Sequence, residues 1–212
     1  MANYLLLNNR EQKGLKAAQQ SCRQLRSALL GINAELDSLT DCSEKGTLQA
    51  IGSHVFGCYA GALDTLGVLY YENGWLEEGK GCLQQALQLL DTQSQYYGAK
   101  TMSDQIRAEC CEYLGLIFNA QQDGQQALSY CEYAIVYAKA SSLKERLPVI
   151  IFSSNLASEI LLSQKERNQA AYYADTGLTA CQELAVLEPD NSILSLQENL
   201  EKIQKKARRT LF

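Results

Sequence analysis

"ALDTLGVLYYENGWLEEGKGCLQQALQLL", residues 62–90, has a pattern that two later stretches of the chain repeat. The second copy is "CEYLGLIFNAQQDGQQALSYCEYAIVY" at residues 111–137, and an offset of 48 places Leu66-Gly67 on Leu114-Gly115. A third copy, offset by a further 43, places Ala157-Ser158 on the same pair. A unit that recurs in this way indicates a repeat architecture, in which each copy packs on its neighbours.

The spacing inside each copy predicts two helices joined by a turn. In the first copy an aromatic residue follows Gly67 by three places, a small residue follows it by twelve, and another comes seven later. Small residues let antiparallel helices approach closely, and larger ones fill the space between pairs. The small places are Gly67, Gly79, Ala86, Gly115, Ala127, Ala134, Ala170 and Gly177.

This spacing resembles the tetratricopeptide repeat family over roughly residues 58–182. The resemblance implies an all-α fold, a right-handed α-α superhelix of about three helix pairs, with an extra N-terminal helix and a C-terminal capping helix. We expect one helical-repeat domain spanning residues 1–212. Its predicted parts are an N-terminal helix at 8–40, repeats at 58–92, 103–140 and 147–184, and a capping helix with a basic tail at 190–212.

The offsets exceed the family's usual period of about 34 residues. We expect the extra residues in "SQYYGAKTMSD" and "KASSLKERLP", where Thr101 and Ser142 resemble helix caps. If Ser142 is the cap, Pro148 falls on a second turn, which requires either a kink or a later helix start.

Composition excludes several classes of protein. A formal net charge of -5 argues against the positive field that nucleic-acid binding requires. No stretch approaches the roughly 18 apolar residues of a membrane span, and no basic segment precedes the short apolar stretch at the N-terminus. We therefore expect a soluble, cytoplasmic protein, with the nucleus as an alternative if the source is eukaryotic, and no nucleic-acid or membrane partner.

The sequence offers no catalytic or metal site. Its eight cysteines contain no C-x-x-C pair, and His54 is the single histidine, so we expect no metal and mostly buried cysteines in a reducing compartment. Residues 74–80 match the first seven places of a phosphate loop, but Gly81 replaces the required hydroxyl and the repeat predicts a preceding helix instead of a strand. We expect a protein that is not an enzyme and has no cofactor.

The resemblance also implies which residues line the concave face of the superhelix. Their charge would repel a C-terminal carboxylate and attract a basic or amphipathic segment, unless the acids simply solvate an exposed face. The implied function is a non-catalytic adaptor or scaffold subunit, and the alternative is a chaperone for secreted or assembling client proteins. The predicted groove residues are Asp64, Val68, Tyr71, Glu72, Glu109, Glu112, Leu116, Asn119, Phe152, Asn155 and Glu159.

The C-terminal segment "KIQKKARRTLF" places five basic residues before two apolar ones. These cations could compensate the dipole of the last helix, form a docking or localisation peptide, or contact phosphate-bearing partners. They could also enter the acidic groove of a second copy, so the sequence leaves a homo-oligomer open.

Overall fold

The structure of the protein is a computed structural model that describes residues 2–97, 100–141, 144–188 and 193–209. All the regular structure in these ranges is helical, which confirms the all-α class. The helices are α1 (Ala2–Ser38), α2 (Cys42–Glu72), α3 (Leu76–Tyr97), α4 (Lys100–Ala120), α5 (Gly124–Ala140), α6 (Arg146–Ser163), α7 (Arg167–Leu187) and α8 (Leu194–Arg208).

Two compact units divide the chain, Met1–Ile106 and Arg107–Phe212, and their boundary falls inside α4. In the first unit, α1 packs against α2 and α2 packs against α3. In the second unit, α5 packs against α6, α6 against α7, and α8 against both α6 and α7. The nearest neighbours of Gly115 belong to α5, so α4 also packs closely on α5.

The same turn joins the two helices of every repeat. Gly74, Gln122 and Lys165 adopt the left-handed conformation, with φ of 77°, 63° and 68°. In each turn the next residue donates its backbone N–H to the carbonyl five residues earlier, a helix-ending arrangement that satisfies otherwise orphaned carbonyls. These N···O distances are 2.9 Å from Trp75 to Tyr70, 2.9 Å from Asp123 to Phe118 and 2.9 Å from Glu166 to Leu161.

The helix boundaries follow the offsets read from the sequence. The three turn residues are separated by 48 and 43 positions, and so are the first residues of α3, α5 and α7 and the last residues of α2, α4 and α6. The chain is therefore a helical-repeat protein, and Asn73-Gly74 forms the turn of its first repeat. The superhelix remains a prediction.

Close packing inside the helix pairs depends on complementary residue sizes. A Cβ atom added to Gly67 would lie 2.6 Å from Cγ of Leu83, and one added to Gly115 would lie 3.2 Å from Sγ of Cys131. In the third repeat the equivalent places hold Ser158 and Ala174, both fully buried. Where the first helix of a repeat carries a larger residue at this contact, the second helix carries a smaller one. Close packing requires this, because the two side chains together must fill nearly the same volume in every repeat.

The helices α1, α2 and α4 begin earlier than the sequence suggested, and α1 begins at Ala2. α2 begins at Cys42, well before residue 58, because the Asp41 carboxylate accepts hydrogen bonds from the N–H groups of Ser43 at 2.7 Å and Glu44 at 3.3 Å. Thr101 is not a cap, since α4 already includes Lys100.

α6 begins at Arg146, with Glu145 as the residue before it. Pro148 therefore lies in the first turn, where its missing N–H would have had no intrahelical partner. The later start is confirmed and the kink is not needed. The proposed cap Ser142 lies outside the described residues.

Most cysteines are small core residues, as predicted. All eight are free thiols, five of them buried, while Cys42 and Cys58 are exposed. Burial, with smaller contributions from the nearby carboxylates of Glu112 and Glu132, raises the pKa of Cys131 to about 12. Its thiol therefore stays protonated and packs as an apolar group.

Candidate partner-binding surface

α6 is buried on every side except along one stripe. Between Val149 and Leu161, all its residues are buried except Phe152, Asn155 and Glu159. Their spacing of three and four places them on one face of the helix. Phe152 is 44% exposed, although the residues on either side of it in the chain, Ile151 and Ser153, are buried. We refer to these three residues as the α6 stripe, and all three were predicted groove residues.

A residue of α8 orients the polar part of the α6 stripe. Nδ2 of Asn199 donates to Oδ1 of Asn155 at 2.8 Å and to Oε1 of Glu159 at 2.6 Å. Asn155 in turn donates from Nδ2 to Oε1 of Glu159 at 3.3 Å. One carboxylate oxygen of Glu159 is thus held by two amides, which fixes the side chain and leaves the other oxygen to a ligand.

Sequence reasoning missed Asn199. Apolar residues three or four places apart in the last helix mark its buried side, where Leu200 and Ile203 lie, and they carry no signal for a polar contact with α6. The available hint was that a polar residue, Asn199, directly precedes Leu200. Only the packing of α8 against α6 shows which side chain it meets.

α4 also leaves one face open in the second unit. Between Ile106 and Ile117 its residues are buried except Glu109, Glu112, Tyr113 and Leu116. Leu116 packs against a core cluster formed by residues of α5 and α6, which includes Cys131 and Leu156. Three of the four open residues were predicted groove residues. The fourth predicted residue of α4, Asn119, is exposed near the end of the helix.

The predicted residues of α2 lie in the first unit and differ in exposure. Val68 and Tyr71 are half-buried and Glu72 is exposed. Asp64 is only 7% exposed, so it does not present its carboxylate to solvent as the residues of the α6 stripe do. The repeat position alone therefore did not determine exposure.

The second unit brings three acidic residues to the faces of α4 and α6, namely Glu109, Glu112 and Glu159. Arg107 belongs to a different side of α4, because it is buried with its guanidinium 5.6 Å from the ring centroid of Tyr137 on α5. Together, these faces present carboxylates and the apolar side chains of Leu116 and Phe152. Such a surface can hold a cationic segment and cover an apolar side chain.

The other motifs in the sequence have structural explanations. Helix α2 ends at Glu72, with Asn73 as its C-cap before Gly74, and Lys80 forms an ion pair of 2.7 Å with Glu77 on α3. The segment is therefore a repeat turn and not a phosphate loop, which would follow a strand. His54 lies on exposed helix surface with Nε2 3.8 Å from Sγ of Cys58. Within the described ranges, no cluster of three or more His, Cys, Asp or Glu residues could hold a metal ion.

The basic residues of α8 lie where cations offset a helix dipole. Lys205, Lys206 and Arg208 occupy its last turn, and Arg208 pairs with Asp175 of α7 at 2.8 Å. Residues 210–212 of the basic tail lie outside the described residues. Among the helices that the structure describes, none combines the length and hydrophobicity needed to cross a membrane.

Neither protein-family models nor curated protein sequences give a match to this chain.

Proposed function

We propose that the protein is a non-catalytic protein-protein interaction module, an adaptor or scaffold subunit, that binds a basic or amphipathic segment of a partner protein. The observation that carries this proposal is the α6 stripe. Between Val149 and Leu161, α6 buries all its residues except the three of the stripe. Phe152 is exposed on the same face as the Glu159 carboxylate, which Asn199 orients. An exposed aromatic residue next to fixed polar groups is typical of binding surfaces.

Two kinds of contact would contribute to binding at this surface. Phe152 and Leu116 would cover an apolar side chain of the partner. Complete burial of a Phe side chain contributes about 1.5 to 3 kcal/mol, so covering the exposed part of Phe152 would contribute about 1 kcal/mol. The carboxylates of Glu109, Glu112 and Glu159 would select for Lys or Arg and raise the association rate.

The proposed architecture is a tetratricopeptide-like superhelix, and the proposed partner-binding face lies on α4 and α6 of the second unit. Support comes from the three matching turns and from boundaries that repeat at the same offsets as the sequence. Longer repeats would lengthen the helices without changing the turn.

A chaperone for client proteins is the second candidate, favoured by apolar exposure elsewhere in the same unit. Tyr133 and Val136 of α5 are 55% and 62% exposed. A chaperone would keep an aggregation-prone client soluble, whereas an adaptor would bind a partner that stays folded without it. Light scattering of the client with and without the protein separates these roles.

Charge reversal tests the proposed surface. The probes are two 18-residue helical peptides with the same leucine stripe, one with lysine and one with glutamate on the polar face. Fluorescence anisotropy measures the affinity of each peptide for the full chain. We expect the lysine peptide to bind, and the double variant Glu109→Lys/Glu112→Lys to weaken it at least about tenfold. Phe152→Ala should weaken it less. The matched control Glu166→Lys changes an exposed acid in the α6–α7 turn and should leave the affinity unchanged.

Equal affinity of the double variant and the wild type would refute the surface assignment. Circular dichroism and thermal unfolding of each variant establish that a loss of binding does not reflect a loss of folding. Glu109 and Glu112 are half-buried, so the single reversals serve as milder variants if the double variant is unstable.

A further inference from the structure

A cavity of about 350 Å³ opens between α5, α6 and α7 in the second unit. Its apolar floor consists of Leu147 and Ile150 from α6 and Ala180 from α7, while polar and aromatic side chains surround it. The surrounding residues are Lys139, Arg146, Tyr172, Thr176, Thr179 and Glu183.

We propose that this cavity is a second binding site that takes an acidic peptide segment carrying one large apolar side chain. The apolar side chain would enter the cavity and its acidic neighbours would contact the two cations of the lining. This site is separate from the acidic surface of α4 and α6 and selects for the opposite charge.

The lining has an excess of positive charge. Arg146 reaches Oε2 of Glu183 through one guanidinium nitrogen, Nη2, at 3.3 Å, so other donors of its guanidinium group stay available. Lys139 is exposed and forms no ion pair with a carboxylate among the described residues. Two cations and one carboxylate therefore line the cavity, and an acidic segment would supply the missing anions.

The threonines of the lining act as acceptors. The hydroxyl of Thr176 donates to the carbonyl oxygen of Tyr172 at 3.0 Å, and that of Thr179 donates to the carbonyl oxygen of Asp175 at 2.9 Å. A hydroxyl that already donates its proton offers only oxygen lone pairs to a ligand. These lone pairs suit the backbone N–H groups of a peptide, whereas a simple inorganic anion would gain nothing from them.

Tyr172 provides an aromatic contact at the rim. It is 60% exposed, and its ring packs edge-on against Tyr173 with 5.3 Å between centroids. Tyr173 is itself fixed, because its hydroxyl donates to Oε1 of Glu132 on α5 at 2.9 Å. An exposed tyrosine supported by a fixed neighbour loses little side-chain entropy on binding.

The cavity and the α6 stripe lie on different sides of α6. Ile150 of the floor precedes Phe152 by two residues, which corresponds to a rotation of about 200° around the helix axis. A partner in the cavity would therefore leave the α6 stripe open. The second unit would join an acidic segment on one side and a basic segment on the other, as an adaptor requires.

A pair of labelled peptides tests the site. The probe is fluorescein-labelled EELEEF, with KKLKKF as its charge-reversed counterpart, titrated with the full chain at low ionic strength. We expect EELEEF to bind more tightly than KKLKKF when the negative charge of the α4 surface is removed by Glu109→Gln/Glu112→Gln. Lys139→Glu and Tyr172→Ala should each weaken EELEEF about tenfold. The matched control Lys206→Glu reverses an exposed cation on α8 and should leave its affinity unchanged.

The alternative role of Lys139 is to offset the dipole at the end of α5. In that role Lys139→Glu would lower thermal stability while the affinity for EELEEF stayed the same, which would overturn the proposal. Equal weakening by Lys206→Glu, or absence of EELEEF binding to the wild-type chain at millimolar peptide, would overturn it as well. Peptide-induced amide shifts at Thr176 and Thr179 would support it, and shifts confined to α8 would contradict it. A failure of the acidic surface to bind lysine peptides leaves these outcomes unaffected.

Discussion

The contact between Gly67 and Leu83 makes the strongest prediction about the fold. A Cβ atom added to Gly67 would lie 2.6 Å from Cγ and 2.7 Å from Cδ2 of Leu83, and 3.2 Å from the carbonyl oxygen of Gly79. Leu83 has no exposed surface, so it cannot swing away. Overpacking of this kind costs about 1 to 3 kcal/mol. Alanine offsets about 1 kcal/mol of that cost, since it forms helix better than glycine. We expect Gly67→Ala to lower the free energy of unfolding by up to about 2 kcal/mol.

The double variant distinguishes packing from other causes. Leu83→Ala alone leaves a cavity at a fully buried site and should cost about 2 to 5 kcal/mol. In Gly67→Ala/Leu83→Ala the new methyl group enters space that the leucine has vacated. The double variant should therefore be more stable than the sum of the single effects by about 1 to 3 kcal/mol. The third repeat already combines small residues at these places, Ser158 and Ala174.

Urea denaturation followed by circular dichroism measures the four free energies of unfolding. Gly81→Ala on α3 is the matched control, because nothing lies within 4 Å of a Cβ atom added there, and it should stabilise by up to about 1 kcal/mol. If the two single effects add to within about 0.5 kcal/mol, the helices are not packed as closely as the structure has them and the reasoning fails.

Three further predictions concern single side chains. Ser154→Ala should stabilise the protein by about 1 kcal/mol, because the Ser154 hydroxyl is buried without a hydrogen-bond partner in the described structure. Ser158→Ala should destabilise the protein, because the Ser158 hydroxyl donates to a backbone carbonyl at 2.8 Å. Urea titrations measure both free energies of unfolding. Gln122→Gly should raise the melting temperature, since glycine relieves about 1 kcal/mol at a φ of 63°. Between pH 9 and 12, the free energy of unfolding should fall by up to about 1.4 kcal/mol per pH unit, because the thiol of Cys131 ionises in the unfolded chain but not in the folded protein. Urea titrations across this pH range should show a smaller slope for Cys131→Ala.

The repeat could be predicted from the sequence because the contacts that define it are local. A turn and a small-residue contact each involve residues a fixed distance apart, so they leave the same spacing in every copy. The conformation of the turn was less visible. Gln122 and Lys165 adopt the same left-handed conformation as Gly74, although neither is the glycine that usually marks this position in a sequence. Alignment with the first copy therefore located these turns better than local propensity did.

The starts of the helices were harder to predict, because a single hydrogen-bonded cap decides them. Asp41 begins α2 through two short backbone contacts, although the nearby sequence shows no repeat spacing. Thr101 had the residue type of a cap, yet α4 includes it. A capping residue type is common in loops, and only the backbone geometry shows whether its oxygen meets a free N–H group.

The exposure of a residue on the candidate surface could be predicted only where its helix has the same neighbours as the equivalent helix in the other repeats. Asp64, Glu112 and Asn155 occupy one repeat position, yet the first is buried, the second half-buried and the third bonded to Asn199. Exposure at a repeat position depends on which element covers the helix next, and the sequence pattern does not encode that. For this reason the acidic character of the proposed surface rests on Glu109, Glu112 and Glu159 and not on Asp64. A partner segment should then need only two or three cations, spaced to match the second unit alone, and lengthening its basic stretch further should add little affinity.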